Sequence, residues 1–433
     1  MHLKAPGNWI NDPNGFIYYG GKYHLFYQHF PYGPFWGTMH WGHAISDDLV
    51  HWKHLGIALM PSKDYDRNGI FSGSAIEKDG RLYLYYTAVT YCKEQPDNIH
   101  LPEGQSIQCQ AMITSEDGYS FDNFNDKRQI IPVIENTDIG DPYDCRDPKV
   151  FKLENTYYMC LGSTHHGKSG VLLLHKSSDA VNWEYLNRFN SKALGTVLEC
   201  PDLFNVNGDW FLICSPCGNN IKGEGSDNQS IIQPVNFVAE NGLVSLSGEA
   251  QFLDYGFDLY APQSNLDEDG NRVIMSWVRM ECPMHPKDNP AAGEKLWNGM
   301  MAIPRVGEVR DGVFYTIPHK NIRQYFLSEN CKSEADGRMV KRSDGSNSQI
   351  ITVIKEGDWL NLDGYKIGLV DGQVVGDRTE LVPDRVNVHR VSKTPYVGNE
   401  VRLEIYCEPD LIEIFVDDGK YVLSHATYRN AIR

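Results

Sequence analysis

Three carboxylic acids, Asp12, Asp147 and Glu199, stand at nearly the same distance before a repeating pattern of strand, turn and strand. Each acid lies eight or nine residues before the turn of its own copy. This shared spacing predicts that the three side chains meet in space. Glycoside hydrolysis needs two carboxyl groups at the bond that breaks: one attacks or activates water, and the other protonates the leaving oxygen. A cluster of acids of this kind therefore points to glycosidase chemistry.

The pattern that carries the acids occurs five times, with turns at Gly21, Gly80, Asn155, Gly208 and Gly270. Each copy pairs a short apolar stretch with a second stretch rich in Tyr, Leu and Ile, which predicts a β-hairpin. Ser72 and Tyr260 hold the matching positions in the two copies that lack an acid. If each copy belongs to one blade of a closed ring, one side chain per blade points at a common axis.

A second repeat, Ser-x-Asp-x-x-x-aromatic, runs out of phase with the first and starts at Ser46, Ser115 and Ser177. Its spacings of 69 and 62 residues are longer than those of helical repeats and suit a propeller blade of four strands with its loops. We expect the aromatic residue of each copy to pack between blades. Five hairpins predict five blades.

The length of the chain, 433 residues, exceeds that of one typical hydrophobic core and predicts two domains. We place a five-bladed β-propeller at residues 1–315 and a C-terminal β-sandwich at residues 316–433. After residue 350 the chain changes to short alternating strands with polar turns, such as residues 401–406 and 411–416. The predicted fold class is all-β.

Composition excludes several partners. The net charge of −17 argues against nucleic acid or an anionic membrane surface, and no apolar run approaches the ~20 residues of a membrane span. The first motif begins almost at once, so we expect no signal peptide. The ten cysteines lack the dense spacing of a disulfide framework and are expected to be reduced thiols. The sequence therefore predicts a cytoplasmic protein, and the oligomeric state stays open.

The local sequence around each acid suggests a separate role. Asp12 precedes Pro13, and a short acid in such a stiff segment suits a nucleophile. Glu199 lies among less polar residues, which suits a general acid. Arg146 precedes Asp147, and we expect its guanidinium to keep Asp147 ionised. An acid that stays charged would hold sugar hydroxyls and stabilise a transition state with oxocarbenium character.

Each acid taken alone has a simpler explanation. Asp-Pro is a common turn former, Arg-Asp is usually a surface ion pair, and Glu199 would be an exposed strand end. Three unrelated acids have no reason to share one place in a repeat, so the register favours a common site. Aromatic residues usually fill cores, yet a sugar site needs apolar faces beside its acids. The candidates for those faces are Trp9, Trp36, Phe71 and Trp277.

These motifs resemble the β-fructofuranosidases of glycoside hydrolase family 32, which include invertases, sucrose-6-phosphate hydrolases, levanases and inulinases. The resemblance covers nearly the whole chain. The segment from Trp9 to Gly15 is similar to the nucleophile motif of the family, Arg146-Asp147-Pro148 to its transition-state motif, and Glu199-Cys200 to its acid/base motif. Three further segments also resemble family signatures: Phe71-Ser72-Gly73-Ser74, Tyr260-Ala261-Pro262-Gln263 and Pro304-Arg305.

The resemblance implies a five-bladed propeller with a C-terminal sandwich. It also implies that Asp12 is the nucleophile, Glu199 the acid/base and Asp147 the stabiliser that binds fructose. The residues expected to bind the substrate around these acids are Trp9, Asn11, Gln28, Trp36, Phe71, Ser72, Arg146, Tyr260 and Trp277. Trp277 has no distinctive motif around it. No metal or organic cofactor is implied, and the partner is a small carbohydrate.

The expected activity is that of a retaining, exo-acting β-fructosidase on sucrose, sucrose 6-phosphate or short fructans. Three alternatives stay open. A fructosyltransferase would use the same residues and pass the sugar to another sugar instead of water. A five-bladed glycosidase that degrades arabinan fits the motifs at Asp12 and Glu199 less well. A sugar-binding propeller that lost catalysis conflicts with three intact acids.

Overall fold

The computed structural model describes residues 1–218, 228–328, 330–333, 339–343 and 345–431. Nearly all regular structure in these residues is β-strand, and the residues up to 318 form five antiparallel sheets, called blades 1 to 5 below. No helix among the described residues combines the length and apolarity that crossing a membrane requires. The predicted all-β fold class is confirmed.

The first two blades are formed by the N-terminal third of the chain. The strands of blade 1 are β1 (Asn8–Tyr19), β2 (Lys22–Phe30), β3 (His40–Ser46) and β4 (Trp52–Leu59). Those of blade 2 are β5 (Gly69–Lys78), β6 (Arg81–Tyr91), β9 (Ser106–Ser115) and β10 (Arg128–Ile131), while β7 (Glu94–Gln95) and β8 (Asn98–Pro102) form a small ribbon.

Blades 3 to 5 follow in chain order. Blade 3 holds β11 (Cys145–Leu153), β12 (Thr156–His165), β13 (Ser169–Ser177) and β14 (Glu184–Asn190). Blade 4 holds β15 (Val197–Val206), β16 (Asp209–Cys217), β17 (Ile231–Val238), β18 (Leu243–Leu246) and β19 (Gln251–Phe252). Blade 5 holds β20 (Leu259–Leu266), β21 (Arg272–Val278), β23 (Met300–Met301), β24 (Arg305–Arg310) and β25 (Val313–Pro318).

The first strand of every blade lies at the centre of the ring. The five inner strands β1, β5, β11, β15 and β20 each contact the inner strands of both neighbouring blades, and β20 contacts β1 to complete the circle. Strand β22 (Trp297–Asn298) reinforces the closure by pairing parallel with β1. Full closure leaves the inner strands without a free edge, which makes the ring a rigid support for side chains on its axis.

Aromatic side chains pack between blades as the second repeat predicted. Phe121 of blade 2 packs edge-on against Phe26 of blade 1, with ring centroids 5.7 Å apart. Trp183 of blade 3 packs in the same way against Tyr85 of blade 2 at 6.0 Å. Aromatic pairs of this geometry stabilise a fold by about 0.5–1.5 kcal/mol beyond their burial. The Ser and Asp of each repeat cap the turn that delivers the aromatic residue, as Ser115 and Asp117 do through bonds to backbone amides.

The C-terminal part of the described chain forms two further sheets that pack face to face. After the short helix α1 (Lys320–Tyr325), one sheet contains β26 (Cys331–Ser333), β27 (Met339–Arg342), β28 (Ser348–Lys355), β33 (Glu400–Cys407), β34 (Leu411–Val416) and β35 (Tyr421–Ala426). The other contains β29 (Trp359–Leu362), β30 (Tyr365–Val370), β31 (Gln373–Asp377) and β32 (Val391–Lys393). Fully buried Ile367, Leu403 and Ile414 belong to the apolar cluster of this sandwich.

Buried ion pairs tie the sandwich to blade 5. Arg378 donates to both carboxylate oxygens of Asp258, and Arg305 donates to Glu413 at 2.7 Å. Asp258 lies two residues before Tyr260, so the sandwich supports the part of the ring that carries a predicted site residue. The predicted division after residue 315 falls inside β25 and stays a prediction.

Candidate active site

All twelve predicted site residues line one pocket of about 270 Å³ at the axis of the ring. The pocket is lined by Trp9, Asn11, Asp12, Gln28, Trp36, Phe71, Ser72, Arg146, Asp147, Glu199, Tyr260 and Trp277, together with Cys200. These residues come from all five blades. Residues far apart in the sequence therefore meet at one end of the inner strands, as the repeat predicted.

A β-bulge in every inner strand turns side chains into this pocket. Pairing with the second strand is interrupted after Ile10, Phe71, Arg146, Glu199 and Tyr260, where the inner strand carries one extra residue. Bulges of this kind commonly re-aim side chains at the rims of closed sheets. In blade 2 the residue after the bulge is Gly73, where a Cβ atom would collide with the carbonyl oxygen of Tyr85.

The three acids occupy three different places in this shared bulge. Glu199 is the last paired residue before it, Asp147 is its first residue and Asp12 is its second. The expectation of one equivalent position is therefore wrong in detail, because spacing to the turn cannot resolve a one-residue bulge. Asp147 and Cys200 share the first bulge position and both have positive φ, 64° and 49°. Such backbone conformations carry strain and are common at functional sites.

Asp12 lies at the end of a chain of hydrogen bonds. Ser72 Oγ donates to Asp12 Oδ2 at 2.5 Å, and Gln28 Nε2 donates to the same hydroxyl at 3.1 Å. On the other side, Asn11 Nδ2 donates to Asp12 Oδ1 at 3.1 Å and itself accepts from Trp9 Nε1 at 2.7 Å. Burial raises the pKa of Asp12, and the Ser72 hydroxyl opposes this rise. The donors fix the direction in which the carboxylate points.

Glu199 is held from two sides. Arg146 Nη1 lies 3.0 Å from Glu199 Oε1, and Tyr260 OH donates to Glu199 Oε2 at 2.8 Å. The guanidinium of Arg146 also pairs with Asp144. About a quarter of the Glu199 side chain stays exposed, 24%, so the carboxyl group can meet a molecule that enters the pocket.

Asp147 is the most buried of the three acids, with 6% of its surface exposed. Its Oδ2 accepts from the backbone amide of Cys200 at 2.8 Å, and its own amide donates to Thr87 Oγ1. Burial raises the pKa of Asp147 to about 7, and the charge of Arg146 only partly offsets this effect. The expectation that Arg146 keeps Asp147 ionised is therefore wrong: Arg146 forms its ion pairs with Glu199 and Asp144.

Cys200 joins the nucleophile candidate to the buried acid. Its thiol lies 3.6 Å from Asp12 Oδ2, while its amide binds Asp147. Burial raises the pKa of the Cys200 thiol well above its ordinary value, so the sulfur stays protonated and can act as a weak donor. The Glu199-Cys200 motif signalled this residue, but nothing in the sequence indicated its two contacts. Thr87 carried no signal at all.

The aromatic residues form two walls. Trp9 and Trp277 meet edge to face with centroids 5.7 Å apart, and Tyr260 continues this wall at 6.5 Å from Trp277. Trp36 and Phe71 meet at 5.8 Å on the other wall. Trp277, whose sequence context was indistinct, therefore belongs to the pocket. Apolar walls around three acids are the arrangement a sugar site requires.

Two other features lie outside this pocket. A larger cavity of about 540 Å³ opens at the opposite end of the inner strands, where Asp202 pairs with Lys149. Among the described residues, Asp138, His165 and His166 could hold a metal ion, because their ligand atoms lie within 4.8 Å of one another. This group does not line the pocket.

Comparison with known proteins agrees with the geometry. The family model for the glycosyl hydrolases family 32 N-terminal domain matches residues 2–318. Over 447 residues, the chain is 31% identical to the sucrose-6-phosphate hydrolase of Escherichia coli, covering 99% of this chain and 88% of that protein. It is 32% identical over 453 residues to the raffinose invertase of Escherichia coli, covering 100% and 89%.

A solved structure shows the same likeness. The sucrose-6-phosphate hydrolase from Lactobacillus gasseri superposes with a TM-score of 0.82 at 27% identity, covering 99% of this chain and 88% of that one.

Proposed function

Because this chain belongs to glycosyl hydrolase family 32 and is a glycoside hydrolase of the β-fructofuranosidase type, we propose that it releases fructose from sucrose or sucrose 6-phosphate. We propose a retaining mechanism in two steps. The observation that carries the proposal is the pocket that brings Asp12, Asp147 and Glu199 together, where Cys200 contacts both Asp12 and Asp147 and Arg146 pairs with Glu199. The names of the similar proteins, a sucrose-6-phosphate hydrolase and a raffinose invertase, support sucrose or sucrose 6-phosphate as the substrate.

In the first step Asp12 attacks the anomeric carbon of the fructosyl unit while Glu199 gives a proton to the leaving oxygen. The bond from carbon to the leaving oxygen breaks, and a fructosyl ester on Asp12 forms. In the second step Glu199 takes a proton from water, which attacks the same carbon and releases Asp12. The hydrogen bonds from Ser72 and Asn11 orient Asp12 for both steps.

Asp147 stabilises the positive charge that develops on the sugar ring. The transition state has oxocarbenium character, so an ionised carboxylate close to it lowers the barrier. Hydroxyl groups of the bound fructosyl unit would donate to Asp147 and favour its charged form, which offsets the effect of burial. Binding of the correct sugar thus favours the ionised form of Asp147.

The size of the pocket suits one terminal sugar unit. At about 270 Å³ it is smaller than most sites for larger ligands, and its walls come from the closed ring. We therefore propose exo action, in which only the end of a sucrose-like molecule or a short fructo-oligosaccharide enters. We also propose a cytoplasmic location. All ten cysteines lie in the described part of the chain and are free thiols, which fits a reducing compartment.

A substrate panel tests the proposal. Initial rates on sucrose, sucrose 6-phosphate, 1-kestose, inulin and levan should be highest for the two disaccharides. Early NMR spectra should show β-fructofuranose as the first product, because two inversions retain the configuration. Absence of fructose release from every member of the panel would refute the activity, and α-fructofuranose as first product would refute the double displacement. Accumulation of longer oligosaccharides instead of free fructose would identify a transferase.

A further inference from the structure

A second cleft is lined by Arg279, whose side chain packs on Tyr260 of the catalytic pocket. Glu199 protonates the leaving oxygen in the proposed function, so the leaving glucosyl unit must lie on the side of Glu199. Tyr260 forms that side, and its hydroxyl binds Glu199 Oε2 at 2.8 Å. The cleft has a volume of about 240 Å³, and its Arg279 packs on the Tyr260 ring. Its lining includes Asn228, Phe257, Arg279, Glu281, Asn387 and His389.

Arg279 links the cleft to the pocket. Its guanidinium carbon stacks 4.7 Å from the centroid of the Tyr260 ring, on the residue that holds Glu199. Nη2 donates to the carbonyl oxygen of Phe257 at 2.7 Å, which uses one of the five N–H donors of the guanidinium. In the part of the chain that the structure describes, Arg279 forms no ion pair within 4.0 Å. A half-buried arginine without an acidic partner is a ready site for an anion.

The other charged groups nearby leave Arg279 available. Arg146, the arginine of the pocket itself, is already paired with Glu199 and Asp144. In the cleft, both carboxylate oxygens of Asp258 accept from the Arg378 guanidinium. Among the described lining residues, the other acid is Glu281, which is exposed. The cleft therefore offers a cation in a protein whose net charge is −17.

His389 and Asn387 add polar groups to the cleft that Arg279 lines. The His389 ring packs on Phe257 at 4.9 Å, so this histidine, the backbone bond of Arg279 and the Tyr260 ring are parts of one wall. Asn387 adds an amide to the same cleft. Imidazole and amide N–H groups are common partners of phosphate oxygens beside an arginine.

We propose that this cleft is a phosphate subsite, in which Arg279 binds the 6-phosphate of a sucrose 6-phosphate whose fructosyl unit occupies the catalytic pocket. The inference rests on the proposed function, since it takes Glu199 as the acid/base that defines the leaving-group side. Arg279 lies one tyrosine ring away from Glu199. The phosphate lies one glucose ring and its exocyclic carbon away from the leaving oxygen. Each span is therefore about one six-membered ring long. This makes Arg279 a specificity residue for phosphorylated substrate.

Paired kinetics test the subsite. The wild type, Arg279→Met and Arg279→Lys should be assayed on sucrose and on sucrose 6-phosphate, with Arg310→Met, an exposed arginine paired with Glu308, as matched control. Arg279→Met should lower kcat/KM on sucrose 6-phosphate about 10- to 100-fold, mainly through KM, and lower that on sucrose less than about threefold. Arg279→Lys should recover part of the loss, and Arg310→Met should match the wild type.

A binding experiment separates this inference from the proposed function. By calorimetry, the wild type should bind glucose 6-phosphate more tightly than glucose, and Arg279→Met should bind both equally. Equal losses on sucrose and sucrose 6-phosphate would assign Arg279 to the positioning of Tyr260 and overturn the subsite. A wild type that hydrolyses sucrose but does not discriminate glucose 6-phosphate from glucose would also overturn the subsite while the proposed function stands. A wild type inactive on both disaccharides would refute the proposed function, and the calorimetry would still decide the subsite.

Discussion

Arg146 lies 3.0 Å from Glu199, across the boundary between blades 3 and 4, and does not pair with Asp147, its neighbour in the chain. The bulge that begins after Arg146 separates the two side chains, so that Arg146 faces the acid/base candidate while Asp147 turns towards the amide of Cys200. One arginine therefore sets the position of an acid from another blade. This relationship leads to the first prediction.

Arg146→Met should lower kcat/KM on sucrose about 10- to 100-fold, because a hydrogen bond to a charged group contributes about 1.5–3 kcal/mol. Arg146→Lys keeps the charge but loses the fork that meets Glu199 and Asp144, so it should fall between Arg146→Met and the wild type. The exposed Arg402→Met, which loses only a pair with Asp418, serves as control and should keep full activity. Full activity of Arg146→Met with an unchanged melting curve would show that the contact between Arg146 and Glu199 does not contribute to catalysis.

Asp147 should make the stability of the protein depend on pH. Its pKa is about 7 in the folded protein and near 3.8 in the unfolded chain, so between these values the folded state holds a proton that the unfolded state has lost. The free energy of unfolding therefore falls as pH rises from about 4 to about 7, by roughly 4 kcal/mol at most. Asp147→Asn should remove this part of the slope.

The measurement is the difference in Tm between Asp147→Asn and the wild type at a series of pH values from 5 to 8. The difference should become more positive as pH rises. The exposed Asp209→Asn is the matched control and should track the wild type throughout. A constant difference across the series would mean that Asp147 does not carry a raised pKa.

Glu199 and Asp147 should differ in their dependence on the leaving group. A missing general acid matters least when the leaving group needs no proton, so Glu199→Ala should lose much less activity on an activated aryl fructoside than on sucrose. Asp147→Ala should lose activity on both, because the charge that develops on the fructosyl ring is the same. The measurement is the initial rate of each variant on the two substrates. Equal losses of activity for Glu199→Ala on both substrates would show that Glu199 only positions the sugar.

Cys200 should be dispensable for chemistry and slow to react. Its thiol contact with Asp12 is weak, so Cys200→Ala should keep substantial activity. Because burial raises its pKa, Cys200 should react with iodoacetamide far more slowly than the exposed Cys92 in the native protein. Peptide mass spectrometry after timed alkylation measures both rates. Reducing agent should leave the Tm unchanged, and a disulfide in freshly lysed cells would contradict the reduced state of the thiols.

The repeats predicted the ring and one axial side chain per blade because both follow from periodic spacing, whereas the resemblance to the family implied the other residues of the pocket. A side chain at the axial end of each inner strand recurs once per blade, so Asp12, Ser72 and Tyr260 could be placed before any geometry was known. The ion pairs could not be placed in the same way. Whether Arg146 faces Asp147 or Glu199 depends on a one-residue bulge and a positive φ, which leave no periodic signal. Burial of Asp147, which raises its pKa, is likewise a property of packing by distant blades.

The central claim is that Asp12 forms a covalent bond with fructose, and trapping that ester tests it most directly. Glu199→Ala should accumulate the ester from an activated aryl fructoside, since the first step needs no acid there and the second lacks its base. After quenching and digestion, mass spectrometry should find one fructosyl group on the peptide that contains Asp12, and none when Asp12→Asn is added. An unmodified peptide despite release of the aryl group, or a fructosyl group on Asp147, would contradict the account.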